Sequence, residues 1–400
     1  MQSLKGHISL RSLVVGCVLC LACASSAFAN HKTGDFALPE LVVAGDFNQD
    51  GSLDLAVNVA GFDNVAIFDG DGQAGFTLRH HVETDTLPKG LAAGDVNGDR
   101  HLDLVSINEW GYTIRINLGD GLGGFIGAGE LNGDGEPIRI ALGDVNNDKN
   151  LDLIANGPAE GVMVIHLGDG RGGFSNSPLE LADLDNDFTF AVGDVNKDGK
   201  LDLVVVTFNA AGGTAVVFLG DGRGGFDIVD QVAVNKDAAS TLLGDLNNDG
   251  NIDIIIGGAG PDNEDGLFLS SYLGDGTGHF TTGQVNALGG GTLEGGMALA
   301  DFNEDGNLDV AFPITFPIDE EHSKTVLMFL GDGAGGFTEG QPVKVGTGPH
   351  TATAADFNGD GHLDLAITNR FDATLSILLG DGSGTLTTHA TLPVAVLPAP

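Results

Sequence analysis

Seven short acidic segments carry the recurrent chemistry of this 400-residue chain. Each reads Asp-x-Asn-x-Asp-Gly-x-Leu-Asp or a near relative, and they begin at Asp46, Asp95, Asp144, Asp194, Asp245, Asp301 and Asp356. Calcium takes about six to eight oxygen ligands, and carboxylates spaced two apart on a tight loop can converge on one ion. Side-chain oxygens stand at the first, third, fifth and ninth positions, and the seventh can offer its carbonyl. The candidate sets are Asp46, Asn48, Asp50, Asp54; Asp95, Asn97, Asp99, Asp103; and Asp144, Asn146, Asp148, Asp152. They continue as Asp194, Asn196, Asp198, Asp202; Asp245, Asn247, Asp249, Asp253; Asp301, Asn303, Asp305, Asp309; and Asp356, Asn358, Asp360, Asp364.

An EF-hand would need a bidentate Glu at position twelve. That position holds Val57, Ser106, Ala155, Val205, Ile256, Phe312 or Ile367. Zinc is a poor match without clustered His or Cys. The competing reading is a set of Asp/Asn turns with no ion. Three carboxylates in each nine-residue loop would repel one another, which favours up to seven calcium ions. The sixth position is Gly except for Arg100 and Lys149. A side chain is strained there if the turn needs positive φ, so those two sites are expected to be the weakest.

The spacings between the loops are 49, 49, 50, 51, 56 and 55 residues. Repeats of this length indicate a propeller or solenoid. In the unit from Ile138 to Leu181, an apolar run precedes the acidic loop and another follows it. A third, VMVIHLG, leads into the turn DGRGG, and Phe174–Leu181 completes the unit. Four short strands rich in Val, Ile, Leu and Phe, between turn residues, repeat seven times. The expected fold is all-β: a seven-bladed β-propeller of four-stranded antiparallel blades. Phe76, Phe125, Phe174, Phe226, Phe280 and Phe337, with Leu386 in the last unit, open the fourth strands and should pack between blades. The chain would start on a first strand at Leu41–Gly45 and end on a fourth strand, so the ring closes without strand exchange.

These units resemble the FG-GAP/VCBS repeats of integrin α-subunit propellers and many bacterial secreted proteins. The resemblance rests on the Gly-Asp-Gly-x-Gly-Gly-Phe turns and the acidic loops, over about residues 41–394. It implies calcium between strands one and two, and an extracellular or envelope location. It also implies frequent roles in adhesion or glycan binding. It leaves the ligand open, because such repeats also accompany some polysaccharide-degrading enzymes.

The N-terminus agrees with export. Lys5 and Arg11 flank an apolar stretch over 12–23 that is too short to span a bilayer, and Ala27-Phe28-Ala29 is a small-x-small cleavage site. Val14–Cys17 also resembles a lipobox, but Arg11 leaves little apolar run before it. The expected organisation is a signal peptide at 1–29, a lead-in at 30–40, the propeller at 41–394 and a tail at 395–400. All three cysteines lie in the leader, so the exported chain would have no disulfide or thiolate site. Losing Lys5 and Arg11 leaves 15 basic against 56 acidic residues, taking the formal charge from −39 to −41. Seven calcium ions would reduce that to −27. Such a surface argues against nucleic acid and anionic lipid as partners, and no later segment is apolar enough for membrane insertion.

Strand alternation places the acidic loops and glycine turns on one face, and the two-to-three and four-to-one loops on the other. The second face varies between repeats. It holds Trp110 and Tyr112, candidate stacking or anchoring rings that could instead merely cap their hairpin. It also holds insertions at Pro261–Gly266 and Pro313–Lys324, and acidic stretches at Glu130–Glu136 and Asp183–Asp187, read as solvated loops. His322 and His350 lie there without an evident nucleophile. The favoured function is a secreted binding or adhesion module for glycan or extracellular protein, not an enzyme. The alternatives are a calcium-stabilised structural component and a polysaccharide lyase or hydrolase on the propeller face.

Overall fold

A computed structural model describes residues 37–133, 138–157, 162–175, 179–181, 187–209, 212–235, 237–259, 266–288, 293–315 and 324–394. The strands form seven sheets, each built from one contiguous stretch of chain and paired antiparallel in sequence order. Blade one runs Pro39–Gly45, Asp54–Val59, Asn64–Gly70 and Phe76–Glu83. Among the described residues the one helical element is a 3-10 turn at Ala60–Phe62. The all-β, seven-bladed expectation therefore holds.

The first strands of successive blades contact one another and form the inner ring. The second and third strands supply most of the core. Seven apolar clusters occur, one at each seam between neighbouring blades. The period of two explains this arrangement: alternate residues of a strand face opposite neighbours. Val65 and Ile67 enter the seam with blade two, while Ala66 and Phe68 enter the seam with blade seven. Phe76, Phe280, Phe337 and Leu386 are buried at these seams, and Phe125, Phe174 and Phe226 pack partly buried against them.

Blade seven closes on blade one by the contacts used elsewhere. The amide of Ala74 donates to the carbonyl of Phe357 at 3.0 Å, as Gly123 does to Phe47 and Gly172 to Val96. Phe76 meets Phe357 edge-on at 5.5 Å. Thr353 Oγ1 adds a bond to the Val42 carbonyl at 2.7 Å.

Three boundaries differ from the sequence reading. The first strand begins at Pro39, so Glu40 belongs to the sheet and not to a lead-in. The fourth strand of blade three is reduced to Leu179–Leu181, with an isolated bridge from Gly168 to Phe174. Beside that bridge the Ser175 amide donates to the Leu167 carbonyl, its hydroxyl takes the Leu167 amide and its carbonyl takes His166 Nδ1. The fourth strand of blade six is split into Phe337–Glu339 and Val343–Lys344, around Gly340 and Pro342.

Candidate functional site

Each acidic loop folds around its own backbone amides. In the first loop the Asp50 amide donates to Asp46 Oδ1 at 3.1 Å and Asn48 Oδ1 at 2.8 Å. Gly51 donates to Asp46 Oδ2 and Ser52 to Asp50 Oδ1. The last two bonds recur in all seven loops, for example from Arg100 to Asp95 and from His101 to Asp99. Amide donation to the exposed fifth-position carboxylates holds Asp50, Asp99, Asp249 and Asp360 below the ordinary Asp value.

The ninth position has a role that the spacing did not reveal. Asp54 is fully buried, with Oδ2 accepting from Phe47 at 3.0 Å and Oδ1 from Gly70 at 2.9 Å. The same pair of bonds is made by Asp103, Asp152, Asp202, Asp253, Asp309 and Asp364. Each staples the start of its loop to the end of the third strand. The strand-ending residue is Gly because a Cβ on Gly70 would lie 2.0 Å from the Leu53 carbonyl oxygen. Burial raises the pKa of these carboxyls, most clearly Asp309, which reaches about 6.

The sixth position has positive φ in every loop, including Arg100 at 71° and Lys149 at 74°. So does the fourth, from Gln49 at 57° to Gly98 at 79°. The strain foreseen at Arg100 and Lys149 is therefore present, although both loops keep the hydrogen bonds of the others.

The donor set fits calcium in kind: hard oxygens only, two of them sharing one amide in a single turn. An oxygen that accepts one proton retains a lone pair. Bound calcium would neutralise charge and tie the loop together. Among the described residues no three His, Cys, Asp or Glu side chains form a preassembled metal cluster.

A second polar group lies at the opposite ends of the strands, where the loops vary. Glu40, on the first strand of blade one, is 1% exposed. Its Oε1 pairs with Lys89 of blade two at 3.0 Å and Arg370 of blade seven at 3.1 Å, and its Oε2 lies 3.3 Å from His350 Nε2. Arg370 also pairs with Glu294 of blade six at 3.0 Å. Burial works to raise the pKa of Glu40, but Lys89, His350 and Arg370 outweigh it and hold the group at about 2. Burial lowers His350 to about 4, against the pull of Glu40. Burial raises Glu294 despite Arg370. Nearby, Arg139 of blade three reaches the Ala239 carbonyl of blade five at 2.6 Å, passing the whole of blade four.

His350 stands at the variable-face end of the first strand of blade seven, where it is a buried partner of Glu40. Trp110 and Tyr112 are 38% and 47% exposed in the hairpin loop of blade two. That loop is fastened to the preceding one by Glu109 donating to Leu87 and Gly111 to Thr86. Phe371, 47% exposed, takes the place of Trp110 in blade seven. Both hairpins are pinned alike, Asn108 to Thr113 and Asn369 to Thr374. Sequence reasoning missed Phe371, Glu40, Lys89, Arg370 and Glu294. The signal was available only by aligning the repeats, since these charges stand at first-strand and hairpin positions that differ between blades. Residues 261–265 and 316–323 of the insertions, residues 183–186 of the acidic stretch, His322, the leader and the tail lie outside the described residues.

Comparison with known families bears on the repeats. The description "FG-GAP-like repeat" matches residues 46–106, 95–155, 194–256, 245–312 and 318–367, and "FG-GAP repeat" matches 348–387. No curated protein matches the chain. Among solved structures, a candidate 6-phosphogluconolactonase from Bacteroides fragilis superposes with a TM-score of 0.60 at 14% identity, covering 88% of this chain and 94% of that one. A protein from Lactobacillus plantarum gives 0.58 at 13%, covering 89% and 96%. A candidate 6-phosphogluconolactonase from Bacteroides uniformis gives 0.55 at 12%, covering 89% and 98%. Likeness at such identities concerns the fold alone.

Proposed function

Because this chain belongs to the FG-GAP repeat family, we propose that it is an exported, calcium-stabilised propeller that binds a glycan or an extracellular protein and catalyses nothing. The observation that carries this reading is the variable face. There a mixed-charge cluster spans blades six, seven, one and two, and exposed rings stand in the hairpins of blades two and seven. Large rings beside fixed donors and acceptors suit sugar stacking or a protein anchor. The calcium part rests on the oxygen donor set of the loops, and the export part on the leader sequence. Lactonase chemistry is not carried over from structures of such low identity.

A screen of glycans and extracellular proteins in calcium, with Trp110→Ala and Phe371→Ala in parallel, tests the binding reading. The expected result is a ligand whose binding weakens by roughly 1–3 kcal/mol in one or both variants. A ligand that binds both variants as it binds the parent would place the site elsewhere. A structural role without a small ligand is the second reading. It is favoured by the way Glu40 spends its charge on joining three blades, and it predicts that the screen returns nothing.

A further inference from the structure

The repeats identify one blade, the second, in which two third-strand positions facing the same seam are both polar and at least one is apolar in every other blade. The third strand ends on a glycine in six blades, and in blade three Gly168 follows it by two residues, so positions can be counted back from that glycine. Two residues before that glycine, five blades carry Phe68, Phe218, Tyr272, Phe329 and Leu378, all buried, and blade three carries His166. Blade two carries Asn117, 2% exposed, with no partner for its Nδ2. Four residues before the glycine, the other blades place Ala66, Val164, Val216, Leu327 or a serine. Blade two places Arg115, whose Nε is buried without a partner.

These two side chains line a cavity of about 230 Å³ at the seam of blades one and two, with His80, His81 and Glu83 on the opposite wall. The fourth strand of blade two leaves the cavity open. Its register shifts between Asn117↔Gly127 and Ile116↔Gly129, so Gly127 puts no side chain opposite Asn117, while the exposed Glu130 is the residue opposite Arg115. A Cβ on Gly127 would lie 3.3 Å from an Arg115 Nη. Among the described residues Arg115 makes neither a hydrogen bond nor an ion pair. Glu83 lines the cavity with it and Glu130 faces it across the ladder, yet neither forms an ion pair with Arg115, so its donors are left for an incoming acceptor. A planar guanidinium fork matches a carboxylate in two parallel bonds, and the Asn117 amide offers a further donor beside it.

We infer that the blade-one/blade-two seam is a binding site for a carboxylate group, held by Arg115 and Asn117 and small enough to take one sugar-sized unit. The site is separate from the acidic loops and from the Glu40 cluster. The full-length exported chain is titrated by calorimetry with D-glucuronate, acetate and glucose. Saturable binding of glucuronate, weakened by roughly tenfold or more in Arg115→Leu, is expected, with no binding of glucose. Acetate binding equally well would show that the carboxylate alone is read. Acetate failing while glucuronate binds would add the sugar ring to the recognised unit. Arg115→Leu installs the residue that blade six carries at this position, Leu327, so it should also raise Tm. No saturable binding of either carboxylate, equal binding of glucose, or unchanged affinity in Arg115→Leu would overturn the proposal. So would a lower Tm in that variant, because Arg115 would then be serving the fold.

Discussion

At the scale of single residues, Glu40 shows how a buried charge is kept. Two cations and a histidine from the neighbouring blades surround it, and their attraction exceeds the cost of burial. Removing one member of a buried pair leaves the others uncompensated, typically at about 3–5 kcal/mol. Glu40→Gln should lower stability by about that amount in urea denaturation, whereas a change below about 1 kcal/mol would mean that water already screens the cluster. The pH dependence has a definite sign. His350 falls from 6.5 to about 4 on folding, so its contribution is complete above 6.5 and is lost as the pH falls toward 4. Glu40 falls from 4.5 to about 2, so its contribution is lost at still lower pH. Glu294 is raised and opposes both. Tm followed from pH 6.5 to 4 should fall less steeply in His350→Gln than in the parent; parallel curves would exclude His350 as the titrating group.

At the scale of the element, the acidic loop has two layers. The first, third and fifth positions take amides of the exposed turn, and the ninth takes one amide from the start of its own loop and one from the end of the third strand. Asp202→Ala would orphan the Val195 and Gly220 amides and should cost about 2–4 kcal/mol, in chelator as well as in calcium. A loss seen only in calcium would make Asp202 a ligand before a staple. Arg100 and Lys149 hold left-handed conformations that cost a side chain about 1–2 kcal/mol. Arg100→Gly and Lys149→Gly should therefore each stabilise by a net of about 0.5–1 kcal/mol, part of the relief being offset by the freer unfolded chain. Destabilisation instead would show that their positive charges matter more than their backbone strain.

At the scale of the whole molecule, the question is how a ring with so much negative charge holds together. Every seam has its own apolar cluster, and glycine turns reach across to the neighbouring loop. Opposing this, the acid loops crowd onto one face. In chelator, Tm should rise as salt shortens the Debye length to about 8 Å. In calcium the starting Tm should be higher and the rise with salt smaller, since the ions already supply the neutralisation. Identical salt curves with and without calcium would remove the metal from the account of stability.

The sequence by itself determined the period, the seven blades, their four strands and the closure without exchange. These follow from alternation and turn chemistry, which are local and repeated seven times. It also marked positive φ at the sixth loop position, because a glycine is written there in five copies. Positive φ at the fourth position was hidden, since Gln49, Asn147, Lys197, Asn248 and Glu304 occupy it as well as glycine. What only the tertiary structure decided was which lone charges meet. Glu40, Lys89, Glu294, His350 and Arg370 come from four blades and converge because the ring sets blade seven beside blade one. The convergence depends on closure in space, which no single repeat encodes. Asp54 and its counterparts became staples within a single blade, because the hairpin brings the glycine at the end of the third strand back beside the start of the second.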